Sequence, residues 1–450
     1  MSAVFPPGTR WPGRLVALGC LWAAATAHSA VFRFVSAGPI TASASQTRLS
    51  RTPGGNLVCD ASGVFHLIYT EWPESAVANV LVNTPDEPSR IYYTRYEAGA
   101  WSPPERVNNG YLPDQREIGG GHPSLCARPD GTVVAAWHDA RHTTEAGTFI
   151  DNYEIYLDRR PPGGTWSPTD ERFTHTDAGH QGDNGYSPQM ALGADGRVWI
   201  AWQDFFADYN VGDIYAHASD ASGQFASRPM SQMRKTVYQS GSGRGSFWQP
   251  SIAEDAAGLV HLVWTEGFAA SAPLWTMTLS ATGEVQSLDK FVTTGGNNLD
   301  PPRLARSPLG NLYAAWTDRR HGNGEIYLAR LIGGATTFTD SRRITMDGAV
   351  SQHPDLAVDA DETVHLVWSD NRDRVYNVFY CTYRFSGDQL GEAVKLTSTT
   401  GSAQHPAIKL SSRGEAMIVY EDNRSGNFEL YAILGLATTG VPARAWEALR

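Results

Sequence analysis

One spacing constrains this chain more than any other property. A Pro is followed 14 residues later by a large aromatic residue in six places: Pro123 to Trp137, Pro188 to Trp202, Pro250 to Trp264, Pro302 to Trp316, Pro354 to Trp368 and Pro406 to Tyr420. A seventh copy has Gly55 in place of the Pro, with Tyr69 again 14 residues on. Gly stands eight residues after the Pro position in six copies, as Gly63, Gly131, Gly196, Gly258, Gly310 and Gly414, and Glu362 is the exception. Periods of this size mark solenoids, propellers or arrays. Each half of the unit is a short run rich in Val, Ile, Leu, Ala and Trp around a turn such as Asp60-Ala61-Ser62-Gly63, which reads as a β-hairpin. The runs are nearly continuous in apolar residues, as expected of strands covered on both faces.

Two more strands follow in each unit. The third is marked by Glu154-Ile155-Tyr156, Asp213-Ile214-Tyr215, Glu325-Ile326-Tyr327, Asn377-Val378-Phe379 and Glu429-Leu430-Tyr431. The fourth ends in Arg172-Phe173-Thr174, Arg343-Ile344-Thr345 or Lys395-Leu396-Thr397. The expected fold is all-β, a seven-bladed β-propeller of four-stranded antiparallel blades. Blades begin near residues 55, 122, 187, 249, 301, 353 and 405. The last unit ends after three strands near Ala437, and Pro39-Ile40-Thr41 resembles a fourth-strand ending. A strand near residues 31–41 is therefore expected to close the last blade, hiding a sheet edge. The propeller then spans 31–437, with a tail over 438–450.

Residues 1–30 read as an export signal: Arg10 and Arg14 precede the apolar stretch Leu15–Ala25, with small-residue cleavage patterns ending at Ala27 and Ala30. The expected location is periplasmic or extracellular. Cys20 follows Leu18-Gly19, but Ala17 stands where a lipoprotein signal prefers Leu, so no lipid anchor is expected. No later stretch is long enough to span a membrane. Cys59, Cys126 and Cys381 are too few and scattered for a disulfide framework. With 47 Asp+Glu against 36 Lys+Arg, a net charge of −11 and no basic run, nucleic acid is not an expected partner.

The aromatic markers Tyr69, Trp137, Trp202, Trp264, Trp316, Trp368 and Tyr420 lie 68, 65, 62, 52, 52 and 52 residues apart. The early blades therefore carry extra chain. It falls between the second and third strands and in the connections into blades two to four, which emerge on one face. Function on repeat scaffolds concentrates in such loops. They hold Glu71, Trp72, His138, Asp139, Arg141, His142, His175, His180, Asp183, Tyr186, Asp204, Asp208, Tyr209, Arg244, Phe247 and Trp248. Aromatic faces beside fixed charges suit sugar recognition. Trp72, Asp139, Arg141, Asp204, Tyr209 and Trp248 are the candidate ligand-binding residues. His122, His138, Tyr186 and Arg244 are the catalytic candidates, because a His or Tyr beside a cation can abstract a proton next to a uronic carboxylate. Paired carboxylates acting on a glycosidic bond are a second possible chemistry. Asp183, Asp204 and Asp208 could hold a calcium ion, although they match no calcium-loop consensus, and no cofactor is otherwise expected.

Two motifs recur at fixed places. Asp/Arg pairs follow the marker as Asp139/Arg141, Asp318/Arg320, Asp370/Arg372 and Asp422/Arg424, and His precedes Pro as His122, His353 and His405. Recurrence at one position points to structural ion pairs for Asp318, Arg320, Asp370, Arg372, Asp422 and Arg424. The same consideration applies to Asp139 and Arg141.

The blade His-Pro-x-Leu-Ala…Gly…Trp-x-Asp-x-Arg…Glu-Ile-Tyr resembles exported propellers of the sialidase-like, BNR-repeat kind over the whole span 31–437. The resemblance implies the architecture. It transfers no catalytic residue. Phe32-Arg33-Phe34-Val35 lacks the Pro of the sialidase Arg motif, hairpins such as Gly163-Gly164-Thr165-Trp166 lack the Asp of an Asp-box, and sialidases have six blades. Seven-bladed polysaccharide lyases, ulvan lyases among them, are similar in outline and use His and Tyr. The resulting expectation is a monomer that recognises an extracellular glycan through the long loops of blades one to four. A polysaccharide lyase or glycoside hydrolase using the same pocket is the alternative, and a non-catalytic protein-interaction scaffold is the second alternative.

Overall fold

The computed structural model describes residues 32–43, 45–49, 55–72, 89–109, 120–139, 141, 153–175, 184–205, 212–226, 228–229, 247–266, 273–292 and 300–437. The expected export signal over 1–30 and the expected tail over 438–450 lie outside these residues. Seven blades follow one another in chain order. In blade 2 the strands run Gly120–Ala127, Val133–Asp139, Glu154–Arg160 and Glu171–Arg172, each antiparallel to the next. Blades 4, 5 and 6 repeat this order. In blade 1 both Gln46–Arg48 and Leu57–Cys59 pair with Phe65–Trp72. Among the described residues the main sheet of blade 3 shows three strands, and Arg228–Pro229 pairs in parallel with Thr174–His175 of the preceding blade.

The last blade closes as the sequence suggests. Phe32–Pro39 pairs antiparallel with Glu429–Ala437 as the outer strand of blade 7. The Thr that ends the fourth-strand signature explains why it recurs. Thr41, Thr174, Thr345 and Thr397 each accept the N–H of a third-strand residue through Oγ1, at 2.9, 2.8, 2.9 and 2.9 Å. The N-terminal Thr41 thus repeats in blade 7 the bond that Thr397 makes in blade 6.

Burial shows why the strands are apolar on both faces. Trp137, Trp202, Trp264, Trp316 and Trp368 are essentially inaccessible. Alternate residues of one strand enter different clusters: Val134 and Ala136 pack against blade 3, while Val133, Ala135 and Trp137 pack against blade 1. Every neighbouring pair of blades shares such a cluster, and the one between blades 7 and 1 joins Met417 and Val419 to Leu57, Phe65 and Leu67. That cluster makes the ring continuous. The inner strands surround a central cavity of about 370 Å³, reached from the end that carries the first-to-second hairpins and lined by Val58, Leu125, Met190, Ile252, Leu304, Leu356 and Leu410 among others.

At the opposite end the inner strands begin with a repeated irregularity. His122, Ser187, Gln249, His353 and His405 all have φ between 49° and 53°, each just before the Pro. Residues before Pro favour extended backbone, so this left-handed conformation is strained. Each one lies at a break in register with the second strand. A bulge re-aims side chains at the rim of a sheet. The five strained residues are all polar, and they ring one end of the channel.

Candidate functional site

The strongest polar cluster lies where blade 2 meets blade 3. His138 directly follows the marker Trp137 and is only 6% exposed. Its ring centroid is 5.0 Å from that of His122, 5.1 Å from Tyr153 and 5.0 Å from Tyr186. The Tyr153 and Tyr186 rings are 4.7 Å apart. Ser187 links the histidines: its Oγ is 2.9 Å from His122 Nδ1, and its N–H faces His138 Nδ1 at 3.5 Å. Gly121 leaves the space His138 occupies, since a Cβ there would stand 2.7 Å from His138 Nε2. Burial, and then the neighbouring His122, push the His138 imidazole well below the ordinary histidine range. It is therefore neutral near pH 7 and accepts the Ser187 N–H on Nδ1. His122 and Tyr186 are partly exposed, whereas His138 and Tyr153 are buried.

Three of the four catalytic candidates thus meet, and Arg244 lies outside the described residues. Tyr153 joins them. It precedes the third strand, outside the repeat signature, and so was not legible in the sequence. Of the ligand-binding candidates, Trp72 ends the second strand of blade 1 half-buried, and Asp204 is buried opposite Asp213 in blade 3. Trp248 belongs to the strand Phe247–Glu254, and His175 to Thr174–His175. Tyr209, His142, His180, Asp183 and Asp208 fall outside the described residues.

Asp139 and Arg141 have partners of a different kind. Trp137 Nε1 donates to Asp139 at 3.2 Å, Arg141 forms an ion pair with Asp139 at 2.6 Å, and the guanidinium lies 4.0 Å over the Tyr156 ring. The same aromatic–Asp–Arg clasp recurs. Trp316 and Trp368 donate to Asp318 and Asp370, whose partners Arg320 and Arg372 cover Tyr327 and Phe379. In blade 7 Arg424 pairs with Asp422 and covers Tyr431. Arg141 adds a bond to Asp170. A second repeated pair went unnoticed in the sequence. His66, His261 and His365 each meet an Asp six residues earlier, Asp60, Asp255 and Asp359, at 3.2, 3.2 and 3.3 Å. These pairs tie the first hairpin of a blade together. No group of three or more metal-ligating side chains occurs among the described residues.

No family model and no curated protein matches the chain. Solved structures do. A polysaccharide lyase aligns with a TM-score of 0.54 at 10% identity, covering 86% of this chain and 90% of its own. An ulvan lyase from a new polysaccharide lyase family aligns with a TM-score of 0.52 at 11% identity, covering 86% and 95%. A leech intramolecular trans-sialidase aligns with a TM-score of 0.47 at 9% identity, covering 89% and 93%. At such identities the likeness is one of fold. This chain has the seven-bladed propeller architecture that carbohydrate-active enzymes also use.

Proposed function

We propose that this propeller handles a glycan at the channel mouth between blades 2 and 3, and cleaves a uronate-containing polymer there as a lyase. The observation that carries the reading is the packing of His122, His138, Tyr153 and Tyr186 around Ser187. The likeness to two polysaccharide-lyase propellers supports the substrate class. In the proposed step His122, in its neutral form, takes the proton on the sugar carbon beside the carboxylate. The electron pair forms a carbon–carbon double bond, the neighbouring glycosidic C–O bond breaks, and Tyr186 donates a proton to the leaving oxygen. His138 and Tyr153 are positioning residues: buried, they hold the reacting pair without touching the polymer. The carboxylate needs a cation beside it, and Arg244 fills that role in the proposal. The reaction uses side chains alone. The protein acts outside the cytoplasm, as a monomer, with residues 1–30 as its export signal.

The test is a panel of uronate-containing polysaccharides followed by the absorbance of unsaturated products. Wild-type protein should yield such a product on at least one polymer. His122→Ala and Tyr186→Phe should each lower kcat about 100-fold or more. Glycan affinity without product would leave recognition and remove the lyase step. New reducing ends without unsaturation would indicate hydrolysis instead.

A further inference from the structure

We propose that blades 6 and 7 carry a second ligand site, for the carboxylate of an acidic sugar, built on the same plan as the seam between blades 2 and 3. The two seams correspond position by position. His353 takes the place of His122, and both precede the inner-strand Pro with φ of 53° and 51°. Tyr376 takes the place of Tyr153. The Tyr153 carbonyl accepts the Gly185 N–H at 2.8 Å, and the Tyr376 carbonyl accepts the Ala403 N–H at 2.8 Å. Ser369 stands for His138 and His405 for Ser187. The His405 N–H donates to Ser369 Oγ at 3.1 Å, where the Ser187 N–H faces His138 Nδ1. The second imidazole therefore comes from the following blade, and the His353 and His405 rings are 4.1 Å apart.

Both imidazoles are held from behind. Asp300 lies 3.0 Å from His353 Nε2, and its other oxygen accepts the Thr317 hydroxyl and the His353 N–H. Glu421 lies 3.0 Å from His405 Nδ1. Such backing fixes tautomer and ring orientation. It is more than the fold needs, because Gln249 occupies the equivalent bulge in blade 4.

Two further groups are left for a ligand. The Arg319 guanidinium is half-buried and makes no hydrogen bond or ion pair among the described residues, because Asp318 takes Arg320 instead. The Tyr376 hydroxyl is also half-buried and makes no hydrogen bond among them. Thr317 donates to the same Asp300 that accepts the His353 N–H, so Arg319, two residues after Thr317, leaves its blade at this seam; burial raises the Tyr376 pKa, Asp300 adds to the rise, and Arg319 opposes it. A planar guanidinium, a phenol and two imidazoles carried by one seam are matched by a carboxylate that carries hydroxyls. The choice of a sugar as bearer of that carboxylate rests on the proposed function. The equivalence of the seams does not.

The experiment uses the full chain carrying His122→Ala, Tyr186→Phe and Arg244→Ala, which removes the proton-transfer pair and the proposed cation of the first site. D-glucuronate is titrated by calorimetry, with D-glucose as the neutral control. The expected result is saturable glucuronate binding, no glucose binding, and roughly tenfold or greater weakening when Arg319→Gln and Tyr376→Phe are added. Arg319→Lys, which keeps the charge and loses the fork, should weaken binding less, and a thermal melt checks that each variant is folded. Absence of saturable glucuronate binding, equal binding of glucose, or binding untouched by the Arg319 and Tyr376 changes would overturn the second site. The lyase reading is judged by product formation in the wild type, so the two can fail separately.

Discussion

Glu421 offers the sharpest test of how the ring is held shut. It follows the marker Tyr420 of blade 7, and its side chain is 1% exposed. Its carboxylate accepts the Leu49 N–H at 2.7 Å, Arg48 at 2.9 Å and His405 at 3.0 Å. Arg48 and Leu49 belong to the start of blade 1, so one carboxylate bridges the last blade and the first. Burial alone would raise its pKa, but His405 and Arg48 outweigh that and bring it from 4.5 down to about 2. A shift of that size corresponds to about 3 kcal/mol. The folded chain binds this proton more weakly than the unfolded chain does. The stabilisation is therefore complete above pH 4.5 and disappears as pH falls toward 2. Glu421→Gln keeps the shape and an acceptor for Leu49 while removing the charge. Urea unfolding followed by Trp fluorescence should show a deficit of about 3 kcal/mol near neutral pH, shrinking toward zero through that acid range. A deficit under about 1 kcal/mol, or one that stays constant as pH falls, would refute the reasoning.

Other consequences can be measured as readily. Asp370→Ala should cost about 2–4 kcal/mol, because it strands the Trp368 indole N–H, the Ser351 hydroxyl and Arg372, whereas Arg372→Ala, at a half-exposed guanidinium, should cost about 1 kcal/mol or less in the same unfolding assay. Gly121→Ala would place a Cβ 2.7 Å from His138 Nε2, so turnover of a cleaved polymer should fall roughly tenfold while the thermal midpoint changes little. Deleting residues 32–39 uncovers the edge of Glu429–Ala437, and light scattering should reveal concentration-dependent association. Dialysis against a chelator should leave product formation unchanged, because the proposed step uses side chains alone.

Much of the fold was legible because a propeller writes its geometry as a period. The 14-residue unit fixed the first two strands, and the doubly buried sheets account for its lack of alternation. The outer strands were less legible. They are short, and in blade 3 the described piece of the outer chain, Arg228–Pro229, pairs with the neighbouring blade. The candidate cluster was legible where it coincides with the repeat. His122 is a bulge residue, His138 follows a marker, and Tyr186 precedes the bulge Ser187. Tyr153 was missed because the extra chain between Trp137 and Glu154 shifts it off the regular spacing, although Tyr376 occupies the same place before the third strand of blade 6. The Asp–His pairs were readable in principle, since each Asp stands six residues before its His in three blades. They lie across the first hairpin, away from the Pro and the aromatic marker that carry the repeat. A sequence cannot separate Asp139 from its counterparts in other blades, and its bonds to Trp137 and Arg141 show why they look alike.

The most direct test of the account is a crystal structure of the full chain with a bound glucuronate-containing oligosaccharide. A sugar ring should lie against His122 and Tyr186 at the mouth between blades 2 and 3, with its carboxylate turned toward a cation. A sugar seated only on the hairpin end of the channel, or along the outer strands, with that mouth empty, would contradict it.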